Sequence, residues 1–386
     1  MSASDRRSFL RTVGSAGLTS AIAPAALSFE HPETVTYEVA PQQSPETQQQ
    51  SIRFAVIGMD HVHIMGITAA IQRGGGQLAS VFSTNPKGLA DFQSRFGQVK
   101  VARSEDEILN DPSIQLVAAA PVPDQRAPLG IRVMRHGKDF LSDKPGIISL
   151  QQLADVRKAI KETGRIYGIL FSERFEVKAA VKAGELVKAG AIGRVIQTVN
   201  LAPHQIGLTN RPEWFWDPAR YGGILCDIGS HQVDQFVYYT DSNTASVTAS
   251  QIANVNHPDR PLFQDFGDIV LHGNRGTGYV RVDWFTPAGL GTWGDGRLFI
   301  LGTEGYIELR KYVDIAGRKA GNHLLIVDQK SQRYIDCNNV TLPFGAQFVS
   351  DIVNRTHTAQ DQEQALLATE LVLIAQKQAT RLKLDS

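Results

Sequence analysis

Cysteine is nearly missing: the 386-residue chain has two, too few for a disulfide framework or a thiolate zinc site. An excess of either charge is missing as well. Lys and Arg total 39 and Asp and Glu total 39, so a basic nucleic-acid footprint is not expected. Long apolar runs are also lacking. The N-terminal stretch from Thr12 to about Ser28 is too short and too polar to span a bilayer as a stable helix. Finally, the glycines of a dinucleotide fingerprint are mostly gone. The turn Gly58-Met59-Asp60-His61-Val62-His63 keeps only the first, with Asp60 and His63 at the other two positions.

What is present is an ordinary globular balance, 42% hydrophobic and 20% charged, over a length that suits two domains. That excludes a wholly disordered, collagen-like or many-span membrane protein. Ahead of the weakly apolar stretch stands Asp5-Arg6-Arg7-Ser8-Phe9-Leu10-Arg11, which looks like a twin-arginine export signal over residues 1–28. Small residues at Ala23, Ala25 and Ala26 are the candidate cleavage sites. Residues 29–51 have the Pro, Gln, Glu, Ser and Thr composition of a linker or docking arm.

From Ile52 the pattern alternates. Apolar runs at Ile52 to Gly58, Leu78 to Phe82, Ile114 to Ala120, Phe140-Leu141 and Ile166 to Phe171 read as buried strands. Helical stretches, such as Pro128 to His136 and Leu150 to Glu162, lie between them. This predicts a doubly wound α/β domain with a parallel sheet, whose ligands sit at the carboxyl ends of the strands. The turn after Gly58 puts a helix N-terminus where it can present amides to a pyrophosphate. Asp60 is unfavourable there unless it caps the helix. Ser83-Thr84-Asn85-Pro86-Lys87 ends the second strand without a carboxylate, a pattern that suits a 2′-phosphate better than an NAD ribose.

After Phe171 the pattern becomes α plus β. A helix is predicted from Glu176 to Ala189, and a long closing helix from Asp361 to Leu382. Strands are expected at Val195 to Leu201, Ser246 to Ala253, Ile269 to His272, Tyr279 to Phe285, Arg297 to Leu301, Tyr306 to Leu309 and Leu324 to Val327. They make a large, mostly antiparallel sheet. Between its first two strands, Asp227 and His231 are four apart, on one helical face. A carboxylate beside an imidazole orients it and raises its basicity. Trp214, Phe215, Trp216 and Tyr221 precede this helix; aromatic rings suit sugar faces and equally fill cores. Trp214 and Tyr221, with Arg174 and His204, are the expected substrate contacts. His61 and His63 are metal-ligating types, yet they are two apart in a tight turn and no third ligand is evident. No metal is expected.

The turn at Gly58, the triplet Asp143-Lys144-Pro145 after a strand, the segment Gly222 to Asp234 with its Asp and His, and the softer Gly302-Thr303-Glu304-Gly305 occur in order. Together they resemble the Gfo/Idh/MocA family, which includes glucose–fructose oxidoreductase and inositol dehydrogenase. The resemblance covers roughly 52–386. It implies a Rossmann dinucleotide-binding domain over 52–171 and an α+β substrate and oligomerisation domain over 172–386. It implies that Lys144 lies between nicotinamide and substrate, that His231 is the acid or base on the reacting hydroxyl, and that Asp227 is its neighbouring aspartate. Expected around NADP or NAD, with NADP favoured, are Gly58, Asp60, His61, Val62, Ser83, Thr84, Lys87, Pro121, Asp143 and Lys144. Two departures stand out besides Asp143 in place of the family's usual Glu. The glycine turn is degraded, and a histidine common in the family falls, on counting back from Gly137, at Arg126.

The function expected is hydride transfer at a sugar or polyol carbon by an exported, periplasmic enzyme that holds its NAD(P) tightly, since no pool of free nucleotide is expected outside the cytoplasm. A glycoside hydrolase or lyase using transient oxidation on the same fold is the alternative. A non-catalytic sugar- or nucleotide-binding protein is the third reading. The expected partners are a carbohydrate, the twin-arginine export machinery and a second copy of the chain, with neither nucleic acid nor a stable membrane span.

Overall fold

The computed structural model describes residues 36–39, 50–207 and 211–383. The export segment, with its paired arginines, lies outside the described residues. Of the predicted arm, the four-residue strand β1 (Thr36–Val39) is described, together with the last residues before the first domain.

The first sheet follows the alternation of the sequence. Its elements are β2 (Ile52–Met59), α1 (Ile64–Arg73), β3 (Gly76–Phe82), α2 (Pro86–Phe96), α3 (Glu105–Leu109), β4 (Leu116–Ala120), α4 (Pro123–Arg135), β5 (Asp139–Asp143), α5 (Leu150–Thr163) and β6 (Tyr167–Leu170). The strands pair in the order β3-β2-β4-β5-β6, all parallel. β4, Leu-Val-Ala-Ala-Ala, is buried at every position, as a strand covered on both faces must be. Helix starts are capped by side chains: Asn85 accepts from the Gly88 amide and Ser149 from the Gln152 amide. α4 starts earlier than predicted. Pro123, not Pro128, takes the first helical position, where proline loses no hydrogen bond.

The second sheet is larger and mixed. The chain enters it through α6 (Ser172–Phe175) and α7 (Lys178–Lys188), then β7 (Val195–Pro203), α8 (Pro218–Tyr221), α9 (Ile224–Asp227) and α10 (Gly229–Thr240). Next come β8 (Ala245–Ala253), β9 (Phe266–Gly273), β10 (Thr277–Asp283), β11 (Arg297–Gly302), β12 (Tyr306–Arg310), β13 (His323–Val327) and β14 (Gln332–Asp336). α11 (Phe344–Asn354), α12 (Gln362–Gln378) and β15 (Thr380–Arg381) close the chain. Ten strands pair in the order β1-β14-β13-β12-β11-β7-β10-β9-β8-β15. The helix predicted to run to Leu382 stops at Gln378, because Ala379 turns extended and the next two residues pair with β8. β1 adds in parallel to β14, an edge that no sequence signal marked.

One face of this sheet packs on α10. Thr198, Asn200, Val280 and Leu298 are buried there, and Asn200 donates to the Gln232 carbonyl. The opposite face carries the row Tyr279, Val199, Phe299 and Glu308, aligned across β10, β7, β11 and β12. These side chains are only half-buried. No helix among the described residues is long and apolar enough to cross a membrane.

α1 and α11 cross backbone to backbone. A β-carbon at Gly345 would lie 1.9 Å from the Ala70 carbonyl oxygen, and one at Gly74 would lie 2.2 Å from the Gly345 oxygen. Neither neighbour is a side chain that can rotate away. Gly345→Ala is therefore expected to cost about 1–3 kcal/mol of stability, read by urea denaturation. An unchanged midpoint would show that the helices do not cross this closely.

Candidate functional site

The site forms where the carboxyl ends of the parallel strands meet the helices lying on the second sheet. β5 runs out into Asp143-Lys144-Pro145, with a cis bond before the proline. Asp143 is 1% exposed and stands at the centre of a cluster. His61 Nδ1 lies 2.6 Å from Oδ2, His63 Nδ1 lies 3.0 Å from Oδ1, and Arg126 Nη2 lies 3.0 Å from Oδ2. Arg126 is equally buried. Its Nε donates to the Pro121 carbonyl at 2.9 Å, and its Nη1 donates to the Lys144 carbonyl at 2.5 Å. Burial alone would raise the Asp143 pKa. Arg126 and the two histidines outweigh it and hold the carboxyl well below its ordinary value.

His61, His63 and Asp143 have ligating atoms close enough to hold a metal ion, so the structure supplies the third group that the sequence did not reveal. The same atoms are engaged with one another, however. Each Nδ1 is turned to a carboxylate oxygen, and Arg126 already sets a cation against Oδ2. This arrangement satisfies a buried carboxylate without a metal.

Asp143 thus faces inward to the protein. Its neighbour Lys144 points across to the other domain. Its Nζ donates to Asp227 Oδ1 at 2.8 Å and to the Asp227 carbonyl at 3.0 Å. Burial works against the Asp227 carboxylate, but the Lys144 ammonium prevails and keeps its pKa below normal. This corrects the expected pairing of Asp227 with His231. α9 ends at Asp227 and α10 begins at Gly229. The carboxylate is claimed by the ammonium, a stronger partner than a neutral imidazole.

His231 is 2% exposed and packs edge-on to Phe171, with ring centroids 6.3 Å apart. Burial drives its pKa well below the usual value, opposed by the carboxylate of Glu173 and reinforced by Lys144, His63 and His204. His204 joins the same electrostatic neighbourhood. Its Nδ1 lies 3.1 Å from the Ala202 carbonyl and its ring packs edge-on to Trp284 and Trp293. Burial pushes it down to about 4, with Glu173 opposing. Burial also takes His61 down to about 4, with help from His63. The imidazoles of His61, His204 and His231 are therefore neutral at pH 7.

Gly58, Asp60, Ser83, Thr84 and Pro121 line one cleft of about 270 Å³. Gly58 has φ +79°, and a β-carbon there would strike Pro121 at 2.7 Å, so the turn needs glycine. The amides of Asp60 and His61 donate to the Ala120 carbonyl. Those of Val62 and His63 have no backbone acceptor among the described residues, and neither residue lines the cleft. Asp60 does not cap α1. It accepts from Asn85 Nδ2 at 3.4 Å, and burial raises its pKa. The cleft and its positive-φ turn fit a dinucleotide, with fewer amides than a full glycine fingerprint offers.

Three expected contacts do not join the site. Arg174 is bidentate on Asp234 at 2.6 and 2.8 Å, stacks over Phe175 and Tyr238, and lines a separate cleft. Buried Asp234 needs the cation more than an open site does. Lys87 is exposed and pairs with Asp91 one helical turn on, and it does not line the cleft. Tyr221, 1% exposed and stacked on Phe215, is core. Trp214 is half-buried and sits edge-on to His61, with centroids 6.4 Å apart, so it stays beside the site. Glu173 was not anticipated. Its place directly after β6, at a strand's carboxyl end, is the signal that marks it.

Residues 52–171 match an oxidoreductase family with an NAD-binding Rossmann fold, and residues 180–308 match the GFO/IDH/MocA C-terminal domain. The chain is 26% identical to 1,5-anhydro-D-fructose reductase of Ensifer adhaerens over 51% of its own length and 59% of that enzyme's. It is 25% identical to scyllo-inositol 2-dehydrogenase (NAD(+)) of Bacillus subtilis over 72% of this chain and 81% of that one. A crystal structure from Erwinia carotovora atroseptica, itself only provisionally designated an oxidoreductase, is 45% identical. It covers 86% of this chain and 100% of its own, with a TM-score of 0.83.

Asp143→Asn leaves Arg126 buried without a counter-charge and is expected to cost about 3–5 kcal/mol at pH 7. Because the folded-state pKa is depressed, the carboxylate's contribution is present above the unfolded value near ~3.9. It is lost as pH falls through the folded pKa. Urea unfolding should show the gap between wild type and variant closing only below about pH 4. A gap that is small at pH 7 would remove Asp143 from this structural role.

Proposed function

The chain belongs to the Gfo/Idh/MocA oxidoreductase family, and from that premise we propose that it transfers hydride between a carbon of a sugar or polyol and NAD or NADP. The observation that carries this reading is the Lys144 ammonium fixed on Asp227 in a site with neutral His231. The dinucleotide would be held by the Gly58 turn, Ser83, Thr84 and Pro121. When bound, it supplies the hydride acceptor.

The chain's own residues do the rest. Lys144 donates a hydrogen bond to the reacting hydroxyl oxygen and favours the charge that develops on it. Asp227 fixes the direction of that donor. Neutral His231 accepts the hydroxyl proton. Its lowered pKa leaves the ring unprotonated, and so free to accept a proton, at neutral pH. Trp214 and His204 border the space for the sugar.

The lack of a carboxylate among Ser83-Thr84-Asn85 supports NADP over NAD. The paired arginines at 6 and 7 support export in the folded state, and an exported dehydrogenase needs a cofactor that does not leave. The half-buried row across β10, β7, β11 and β12 supports association of copies through the sheet face.

Two outcomes test this. Protein purified natively without added nucleotide, then denatured, should release near-stoichiometric NADP or NAD by mass spectrometry. No nucleotide would defeat the captive-cofactor reading and bring a binding protein forward. His231→Ala should lose about 10²–10⁴-fold in kcat on any sugar or polyol substrate while still binding dinucleotide. Unchanged turnover would refute the assigned role.

A further inference from the structure

Behind His231 lies a buried ionic group that the proposed chemistry does not use. Glu173 is 3% exposed and Lys311 is 2% exposed. Lys311 Nζ donates to Glu173 Oε2 at 2.6 Å and to Gln235 Oε1 at 2.9 Å. Gln235 sits one helical turn after His231, and its Nε2 donates to the His231 carbonyl at 2.9 Å. The group therefore ties α6, the residue after β12, and α10 together directly behind the imidazole.

Two atoms in it are left over. Glu173 Oε1 and His231 Nδ1 are both fully enclosed, and neither has a hydrogen-bond partner among the described residues. A buried carboxylate oxygen and a buried ring nitrogen without partners are each costly. Glu173 is the charge that most favours a proton on this ring, and an Nδ1–H turned toward its carboxylate offsets part of both costs. The other charged and titratable groups acting on His231 are Lys144, His63 and His204. Glu173 is the carboxylate among the groups acting on this ring, and its charge favours an Nδ1–H turned toward it.

We propose that Glu173, held by Lys311, is a positioning residue that keeps the His231 proton on Nδ1 and so leaves Nε2 as the proton acceptor toward the substrate. Which nitrogen of a neutral imidazole carries the proton is set by the partner of the other. A histidine held in the wrong tautomer cannot take a proton from the hydroxyl. Lys311 holds both Glu173 and Gln235, and its ammonium keeps the buried carboxylate ionised. This role rests on His231 being the base of the proposed reaction.

The test uses the full chain labelled with ¹⁵N-histidine, the His231 ring signals being assigned by their loss in His231→Gln. Wild type should show Nδ1 protonated and Nε2 bare at pH 7. Glu173→Gln alone leaves a buried ammonium unpaired, so the double variant E173Q/K311M is the main probe, because it removes both charges together. In the folded double variant the ratio of the two tautomers should fall about two- to tenfold. In parallel, kcat should drop about ten- to hundredfold, less than on removing His231 itself, with KM nearly unchanged. Glu173→Asp, which keeps the charge, should recover part of the loss. An unchanged tautomer ratio in the folded double variant overturns the proposal, even if kcat falls, since that loss would then be structural. The NMR readout needs no substrate. A failure to find any turnover would sink the functional reading, and the tautomer ratio would still decide the role of Glu173.

Discussion

A buried carboxylate that must be satisfied organises this molecule. Asp143 ends a central parallel strand with no access to water, so its charge has to be met by protein. Arg126 meets it from α4, and His61 and His63 meet it from the turn after β2. Arg126 cannot then be left with idle donors, and it spends them on the carbonyls of Pro121 and Lys144. In this way one ion pair fixes the ends of β2, β4 and β5 relative to each other. It also fixes the backbone of Lys144, whose side chain is free to leave the cluster and cross to Asp227 on the second sheet's helices.

The chemistry of the site follows from that division of labour. Most of the buried charge is held in pairs: Asp143 with Arg126, Asp227 with Lys144, Glu173 with Lys311 and Asp234 with Arg174; Arg211, over Phe215 and Trp284, is a further cation near Asp227. His61, His204 and His231 lie among these pairs and are kept neutral by burial. A substrate hydroxyl entering here meets one fixed ammonium and uncharged imidazole. Such a field favours negative charge developing on oxygen at a single point.

Much of this was legible in the sequence, because the signals were local. Continuous apolar runs marked the parallel strands, alternation marked the second sheet, and the triplet at 143 to 145 and the Gly-Gly-to-His segment marked where the two domains meet. What was not legible depended on partners far apart in the chain. Glu173 and Lys311 are 138 residues apart, and no spacing rule joins them. Arg174 and Glu173 are adjacent, and only the fold decides which of them faces His231. The spacing of Asp227 and His231 was real but misleading, since a lysine 83 residues earlier competes for the carboxylate. The four residues of β1 have no hydrophobic pattern long enough to read, and their pairing depends on an edge 297 residues away.

The ends of the ten-stranded sheet have a consequence of their own. Among the described residues its terminal strands are the short β1 at one side and the two-residue β15 at the other, both added in parallel. Beside β15, the rest of β8 is bulged between Val247 and Ala249 and is buttressed by α12, whose Ala375 carbonyl accepts from Ser250 and whose Gln378 donates to Val247. Exposed strand edges are templates for uncontrolled pairing between molecules. Here the polypeptide uses these two short strands as selvedges, finishing the woven sheet so that it does not fray into neighbours. Among the described residues, each margin thus presents a strand of at most four residues, a poor template for strand addition.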